Sequence, residues 1–382
     1  MPWTTYERSL ALLMLVAGSI STLATKWDDR LSSVNRAGDL AKFNHSFLQA
    51  AGMFLGELSC LIAFKIFLCM QRKKKENPEG VPSIHSQRFN PMIFLLPALC
   101  DVTATSIMNV GLTFIHASSY QMLRSAVIVF TGLLSVAFLE RHLRVCEWVG
   151  IFIVIFGLLC VGISDDFSSN PGSEHNASLN GIITGDLLIV LAQIIVATQM
   201  VLEEKFVTKY DISALESIGW EGLFAFAIVS VLLVPMYYIK VGKSIFNNPY
   251  GRMEDALDGF IQMSNSWQVT LAFTGTIIGT GIGNFAGLSI TKELSATTRM
   301  VLDSARAFVV WIFCLFFTWQ EFHYLQLVGF LLLFIGMCLY NDVIIQPICH
   351  RVFRQMHYYR GKTSSCDDES TSPLTEPLSI NS

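Results

Sequence analysis

Ten apolar stretches recur along this chain, each about the length a helix needs to cross a bilayer core, and they constrain the fold more than any other feature. They cover roughly 6–25, 46–70, 91–115, 118–139, 145–163, 183–204, 216–239, 267–290, 294–318 and 323–345. Only 15% of the residues are charged and 52% are apolar. A soluble domain carries about a quarter charged residues, so this chain has too few to cover an aqueous surface. The sequence therefore predicts an all-α integral membrane protein with ten transmembrane helices. A soluble enzyme, a peripheral protein and a single-span protein are all excluded, because the apolar runs extend over the whole length. The first run has a second reading as a cleaved leader, since small residues follow it near Ser21–Ala24.

Lysine and arginine placement sets the orientation. With the N-terminus in the cytosol, the cytosolic segments hold 15 of the 26 basic residues, among them Arg72, Lys73, Lys74 and Lys75. The opposite side holds 7, and Lys65, Arg124, Arg299 and Arg306 fall inside spans. Both termini are expected in the cytosol. The sequon Asn176-Ala177-Ser178 then falls on the outer or lumenal side, where Asn176 is a glycosylation candidate.

The chain also resembles itself at an offset of 179 residues. Leu123-Arg124-Ser125-Ala126 lies over Leu302-Asp303-Ser304-Ala305, Gly150 and Gly157 lie over Gly329 and Gly336, and Lys26-Trp27 lies over Lys205-Phe206. This divides the chain into a five-helix repeat at 1–165, a linker at 166–182, a second five-helix repeat at 183–345 and a disordered cytosolic tail at 346–382. Five is odd, so the second copy enters the membrane from the opposite side. Inverted repeats of this kind are typical of secondary transporters whose site lies near the bilayer midplane.

Four runs carry a resemblance to a known family. Ala117–Arg141, which ends in Glu140-Arg141, resembles the fourth-helix signature of the drug/metabolite transporter superfamily. Gly185–Phe206, Glu221–Ile239 and Glu293–Trp311 are similar to solute carrier family 35, subfamily F. The resemblance implies ten helices in two repeats, cytosolic termini and alternating access to a central cavity. It also implies residence in endomembranes, with the lysosome expected and Golgi or mitochondrial membrane as the alternative. Family 35 is known for nucleotide-sugar transport, but subfamily F has few assigned substrates, so that label does not transfer directly.

An ionisable side chain at a helix centre costs about 2.5–3.5 kcal/mol on insertion scales, so each one needs a reason. Glu57 and Asp101 fall near the middle of their spans, and Arg299, Asp303 and Arg306 share one face of the ninth. Asp303 pairs most simply with Arg299 one turn away. Simple depth counting separates Arg124 from Asp303 along the membrane normal. Arg124 and Arg306 are the candidates for binding an anion, because guanidinium groups suit bidentate phosphate or carboxylate recognition. Tyr120, Gln121, Asn109 and Asn284 join them as polar cavity candidates. Glu57, Asp101, Arg299 and Asp303 are expected to couple transport to an ion or to form a structural ion-pair network. Lys65 is close enough to the cytosolic end to snorkel. Gly275, Gly279, Gly283 and Gly287 repeat every four residues, a face suited to close helix packing.

The nine cysteines show no paired metal-ligand spacing, and neither a metal nor a cofactor is expected. The expected partners are a small-molecule solute and the lipid bilayer, with a homodimer left open. No basic block is long enough for nucleic acid. The sequence carries none of the intramembrane catalytic motifs an enzyme would need. A solute transporter is the leading reading, with an anionic metabolite such as a nucleotide or nucleotide sugar as the expected solute; a non-transporting membrane regulator or scaffold with the same fold is the alternative.

Overall fold

The computed structural model describes residues 4–74, 89–112, 114, 120, 123–139, 145–168, 179–240, 251–317 and 324–340. Gln121, Asn176 and the tail from 346 lie outside them. Among the described residues the chain is almost entirely helical. The helices are α1 Thr5–Asp28, α2 Ser46–Lys74, α3 Leu95–Leu112, α4 Val127–Leu139, α5 Val145–Ser168 and α6 Leu179–Tyr210. They continue as α7 Ala214–Tyr238, α8 Ala256–Asn265, α9 Trp267–Glu293, α10 Ala296–Phe316 and α11 Tyr324–Tyr340. Short 3₁₀ turns lead into α3 at Pro91–Phe94 and into α4 at Arg124–Ala126.

Local chemistry sets these boundaries. A reciprocal capping box opens α1, in which Glu7 N donates to Thr4 Oγ1 at 3.2 Å and Thr4 N to Glu7 Oε2 at 2.6 Å. Asp211, at φ +46°, turns the chain between α6 and α7. Within α9 the hydroxyls of Thr270, Thr274, Thr276, Ser289 and Thr291 donate to carbonyls four residues back. That keeps polar groups satisfied within the helix where there is no water to do so.

Among the described residues, six helices are long and apolar enough to cross a membrane: Thr5–Asp28, Ser46–Met70, Pro91–Leu112, Ile183–Tyr210, Ala214–Tyr238 and Trp267–Glu293. Shorter apolar helices span Arg124–Phe138, Val145–Cys160 and Leu327–Tyr340. Leu12, Ile62, Phe152, Leu187 and Val231 stand exposed on their outer faces, as lipid-facing side chains do. The protein is a multi-pass, all-α membrane protein.

The helices pack in long pairs: α1 along α9, α2 along α7, α3 along α6 and α5 along α11, while α4 meets α6 and α10. Missing side chains permit the closest approaches. A Cβ on Gly150 would stand 2.7 Å from the carbonyl oxygen of Gly336, and one on Gly157 3.1 Å from that of Gly329. Two buried clusters cement the bundle. One joins Leu123 to Ile189, and the other joins Leu10 to Leu302.

One end of the bundle carries structure that the apolar runs did not reveal. Strands β1 Ser32–Val34 and β2 Leu40–Lys42 form an antiparallel hairpin, and α8 lies against it. Ser33 Oγ donates to the Gln262 carbonyl at 2.8 Å, and the Arg36 amide donates to Asp258 Oδ1 at 2.6 Å. Glu254 holds the start of α2, with Oε2 accepting from the Phe47 amide at 2.9 Å and Oε1 meeting His45 Nδ1 at 2.8 Å. These segments are too polar and too short to register as spans.

Candidate functional site

The interior of the bundle holds two polar neighbourhoods, and α10 contributes to both. The first is a cavity of about 60 Å³. Its wall includes Thr22 of α1, Met108 of α3, Arg124, Gln193 of α6, and Asp303 and Arg306 of α10. Arg306 Nη2 lies 3.0 Å from Asp303 Oδ2. A Cβ at Gly18 would stand 2.6 Å from Arg306 Cδ, so the bare backbone of α1 is what admits this side chain. The Arg124 guanidinium lies 5.9 Å from the centroid of the Tyr120 ring, within cation–π reach. Met108 Sδ accepts from Tyr120 at 3.7 Å and from Gln193 Nε2 at 3.3 Å. Two guanidinium groups share this wall with one carboxylate, which gives it a net positive charge suited to an anion.

The second neighbourhood is acidic. Arg299 Nη1 lies 2.7 Å from Glu203 Oε2, and the two residues are 6% and 1% exposed. Removing two charges from water costs several kcal/mol per ion, and only close geometry offsets it. A Cβ at Gly287 would stand 2.9 Å from Arg299 Nε, so the glycine face of α9 makes room for the guanidinium. Around this pair lie Glu57 of α2, Asp101 of α3 and Glu221 of α7. Asn284 Nδ2 donates to Glu57 Oε1 at 2.5 Å, Gln199 Nε2 to Glu221 Oε1 at 2.8 Å and Thr105 Oγ1 to Asp101 Oδ1 at 3.3 Å. The next residue of α6, Glu204, caps α10 by accepting from the Ala296 amide at 3.2 Å.

Several sequence-based expectations change here. Asp303 meets Arg306 three residues on, not Arg299, because Glu203 draws Arg299 across to α6. Arg124 and Asp303 line the same cavity despite the separation that depth counting gives them. Asn284 serves Glu57 in the acidic neighbourhood. Asn109 Nδ2 is buried with no hydrogen-bond partner among the described residues. Of the glycine series, Gly279 approaches the Ser21 amide and Gly283 that of Gly18 at hypothetical Cβ distances of 2.9 and 3.3 Å, whereas Gly275 meets only Ala24 at 3.5 Å. Glu203 and Glu221 escaped the sequence reading. Glu203 stood at the margin of the 183–204 run, but α6 continues to Tyr210, which draws it inside. The helical spacing of Gln199 and Glu203 was the available signal.

Comparison with known proteins identifies the family. The family model described as "Solute carrier family 35" matches residues 35–246. The human protein Solute carrier family 35 member F6 is 52% identical over 355 residues, which is 93% of each chain. The chain belongs to solute carrier family 35. Membership of family 35 implies a membrane solute transporter. The matched segment contains Glu57, Asp101, Arg124, Glu203 and Glu221, and the three charged residues of α10 lie beyond it. A more distant relative, CMP-sialic acid transporter 1 of Arabidopsis thaliana, is 26% identical over 172 residues, covering 45% of this chain and 47% of that one. A protein crystal structure 11% identical to the chain aligns with a TM-score of 0.58 over 88% of this chain and 98% of that one, a likeness of fold alone.

Proposed function

We propose that this member of family 35 carries an anionic metabolite, of the nucleotide or nucleotide-sugar class, across the membrane by alternating access. The observation that carries this reading is the cavity lined by both Arg124 and Arg306, with Asp303 as the one carboxylate on its wall among the described residues. Planar guanidinium groups recognise phosphate and carboxylate through paired hydrogen bonds. Tyr120, through its ring beside Arg124, belongs to the same site, and Asn109 and Gln121 are kept as solute-binding candidates on the sequence alone. The substrate class also draws on the partial likeness to a CMP-sialic acid transporter. A cavity of about 60 Å³ is well below the roughly 300–1,000 Å³ of small-molecule sites. In this reading the structure is a contracted conformer, and solute enters when the helices around the cavity separate.

The same proposal includes ten spans in two inverted five-helix repeats, 1–165 and 183–345. The packing supports it. At the 179-residue offset, the cluster holding Leu123 and Ile189 corresponds to the one holding Leu302 and Leu10. The contacts Gly150–Gly336 and Gly157–Gly329 exchange with each other under the same operation. A two-fold relation between the halves produces this crossing. The basic residues favour cytosolic termini, and we assign the protein to endomembranes, with the lysosome ahead of Golgi or mitochondria.

The test is uptake by proteoliposomes of the purified protein, screened across nucleotides, nucleotide sugars and small metabolites. Uptake of an anionic solute that falls in Arg124→Ala and Arg306→Ala supports the proposal. If no solute moves and cells carrying both variants keep their phenotype, the protein is a regulator or scaffold instead.

A further inference from the structure

We propose that the acidic neighbourhood is a proton site, separate from the anion cavity and linked to it through α10. It rests on the transporter reading only for its physiological use; proton binding itself stands apart from it. Among the described residues, Glu57, Asp101, Glu203 and Glu221 lie around the guanidinium of Arg299, and Arg124 is also within electrostatic reach of Asp101. With every carboxyl ionised, at least two negative charges would stand uncompensated in the interior of the bundle. Like charges so enclosed cannot all persist, and protonation removes them at the least cost.

The hydrogen bonds mark where the protons sit. Glu57 and Glu221 are 3% and 2% exposed, and each has one oxygen satisfied by an amide, Asn284 for Glu57 and Gln199 for Glu221. The second oxygen of each, Oε2, is buried with no hydrogen-bond partner among the described residues. An amide NH₂ donates to one oxygen and leaves the other as the protonated, donor oxygen of a carboxylic acid. The two residues lie on α2 and α7 at a close crossing, where a Cβ on Gly222 would stand 2.5 Å from that of Glu57. Glu57 thus faces Asp101 on α3, Glu203 on α6, Glu221 on α7, Asn284 on α9 and Arg299 on α10, with Cys60 on its own helix. Glu221 faces Gln199 and Glu203 on α6, Asp101 on α3 and Glu57 on α2.

The proton step is simple. Hydronium from the more acidic side gives its proton to a carboxylate oxygen, an O–H bond forms and water leaves. On the other side that bond breaks and water takes the proton. Adding or removing the proton changes the field at Arg299. Arg299, Asp303 and Arg306 lie on one face of α10, so a shift of Arg299 relative to Glu203 is carried along the helix into the cavity.

Infrared difference spectroscopy on the full-length protein in liposomes tests this without a known solute. Spectra are taken from about pH 4 to about pH 10, a range that covers free glutamates and the values of about 8–9 documented for fully buried ones. The expected result is a carboxylic-acid C=O band of a dry environment whose intensity changes with pH. It should weaken in Glu57→Gln and in Glu221→Gln, stay in Asp211→Asn, and be indifferent to exchanging Na⁺ for K⁺. Absence of the band, a band unmoved by pH, or a band controlled by Na⁺ overturns the proton site; if the glutamine variants fail to fold, Glu57→Asp and Glu221→Asp should shift the band, whereas Asp28→Asn, at another buried carboxyl, should leave it. Solute uptake without a titrating band would retain the transporter and remove the proton site; a titrating band without uptake would do the reverse.

Discussion

Arg299 on α10 and Glu203 on α6 form a buried ion pair at 2.7 Å, one residue before Glu204 caps the start of α10. Two consecutive carboxylates of α6 therefore hold the first turns of the helix that carries Asp303 and Arg306. The position of the cavity arginine is in this way tied to an acidic neighbourhood it does not touch.

Removing Arg299 strands Glu203 among the other buried carboxyls. Arg299→Met should destabilise the protein by about 3–5 kcal/mol, the usual cost of an uncompensated buried charge. The double variant Glu203→Leu/Arg299→Met should recover most of that loss. Thermal melting of purified protein in detergent measures both, and a double variant no more stable than Arg299→Met alone would show that the pair is not the relevant contact.

Gly150 and Gly336 make a second test, of the α5–α11 contact. A methyl group at residue 150 meets backbone, the Gly336 oxygen and the Tyr340 amide both at 2.7 Å, and cannot be accommodated by side-chain movement. Gly150→Ala should cost about 1–3 kcal/mol, as overpacking does. Gly275→Ala, whose nearest neighbour is Ala24 at 3.5 Å, should leave the melting temperature nearly unchanged. Equal effects of the two would contradict this helix contact.

The sequence made the helices legible because apolar runs of spanning length have few other uses. The run at 216–239 is Ala214–Tyr238 in the structure, and that at 267–290 is Trp267–Glu293. It did not show the hairpin or α8, whose stability comes from bonds such as Arg36 to Asp258 across 222 positions of chain. The cavity residues Arg124 and Arg306 could be found as charges out of place. Their partners could not, since choosing Arg306 over Arg299 for Asp303 required knowing that Glu203 stands opposite. Helix length decided that: six more residues at the end of α6 than the apolar run suggests move an acidic residue from the rim to the interior.

Asp211 gives a pH-dependent prediction outside the spans. Lys292 Nζ sits 2.7 Å from Asp211 Oδ1, and this hydrogen-bonded ammonium holds the Asp211 carboxyl below the usual carboxylate range. A depressed folded-state value means the stabilisation is present above the unfolded pKa and is lost as the pH falls through the folded one. Wild type should be slightly more stable than Asp211→Asn at neutral pH, and that margin should vanish in acid. Asparagine tolerates the positive φ, so the backbone is preserved. A margin that persists in acid would show the effect is not this ion pair.

Arg306→Lys should weaken transport of an anionic solute about tenfold, the scale of one lost hydrogen bond to a charged group. Lysine keeps the charge but not the planar fork. Lys65→Arg should leave uptake unchanged, because Lys65 is exposed at the bundle surface, 5.9 Å from the Trp220 ring centroid and away from the cavity. Initial uptake rates of the two variants in proteoliposomes decide this, and equal losses would remove Arg306 from the binding site.

The most direct measurement of transport by alternating access is counterflow. Proteoliposomes preloaded with unlabelled CMP are diluted into a trace of labelled CMP, then the same is done with other nucleotides and nucleotide sugars. A carrier that exposes one site to each side in turn should concentrate label inside transiently, and Arg124→Ala and Arg306→Ala should suppress that overshoot. Movement of label without an overshoot, or no movement of any anionic solute in the series, would contradict it.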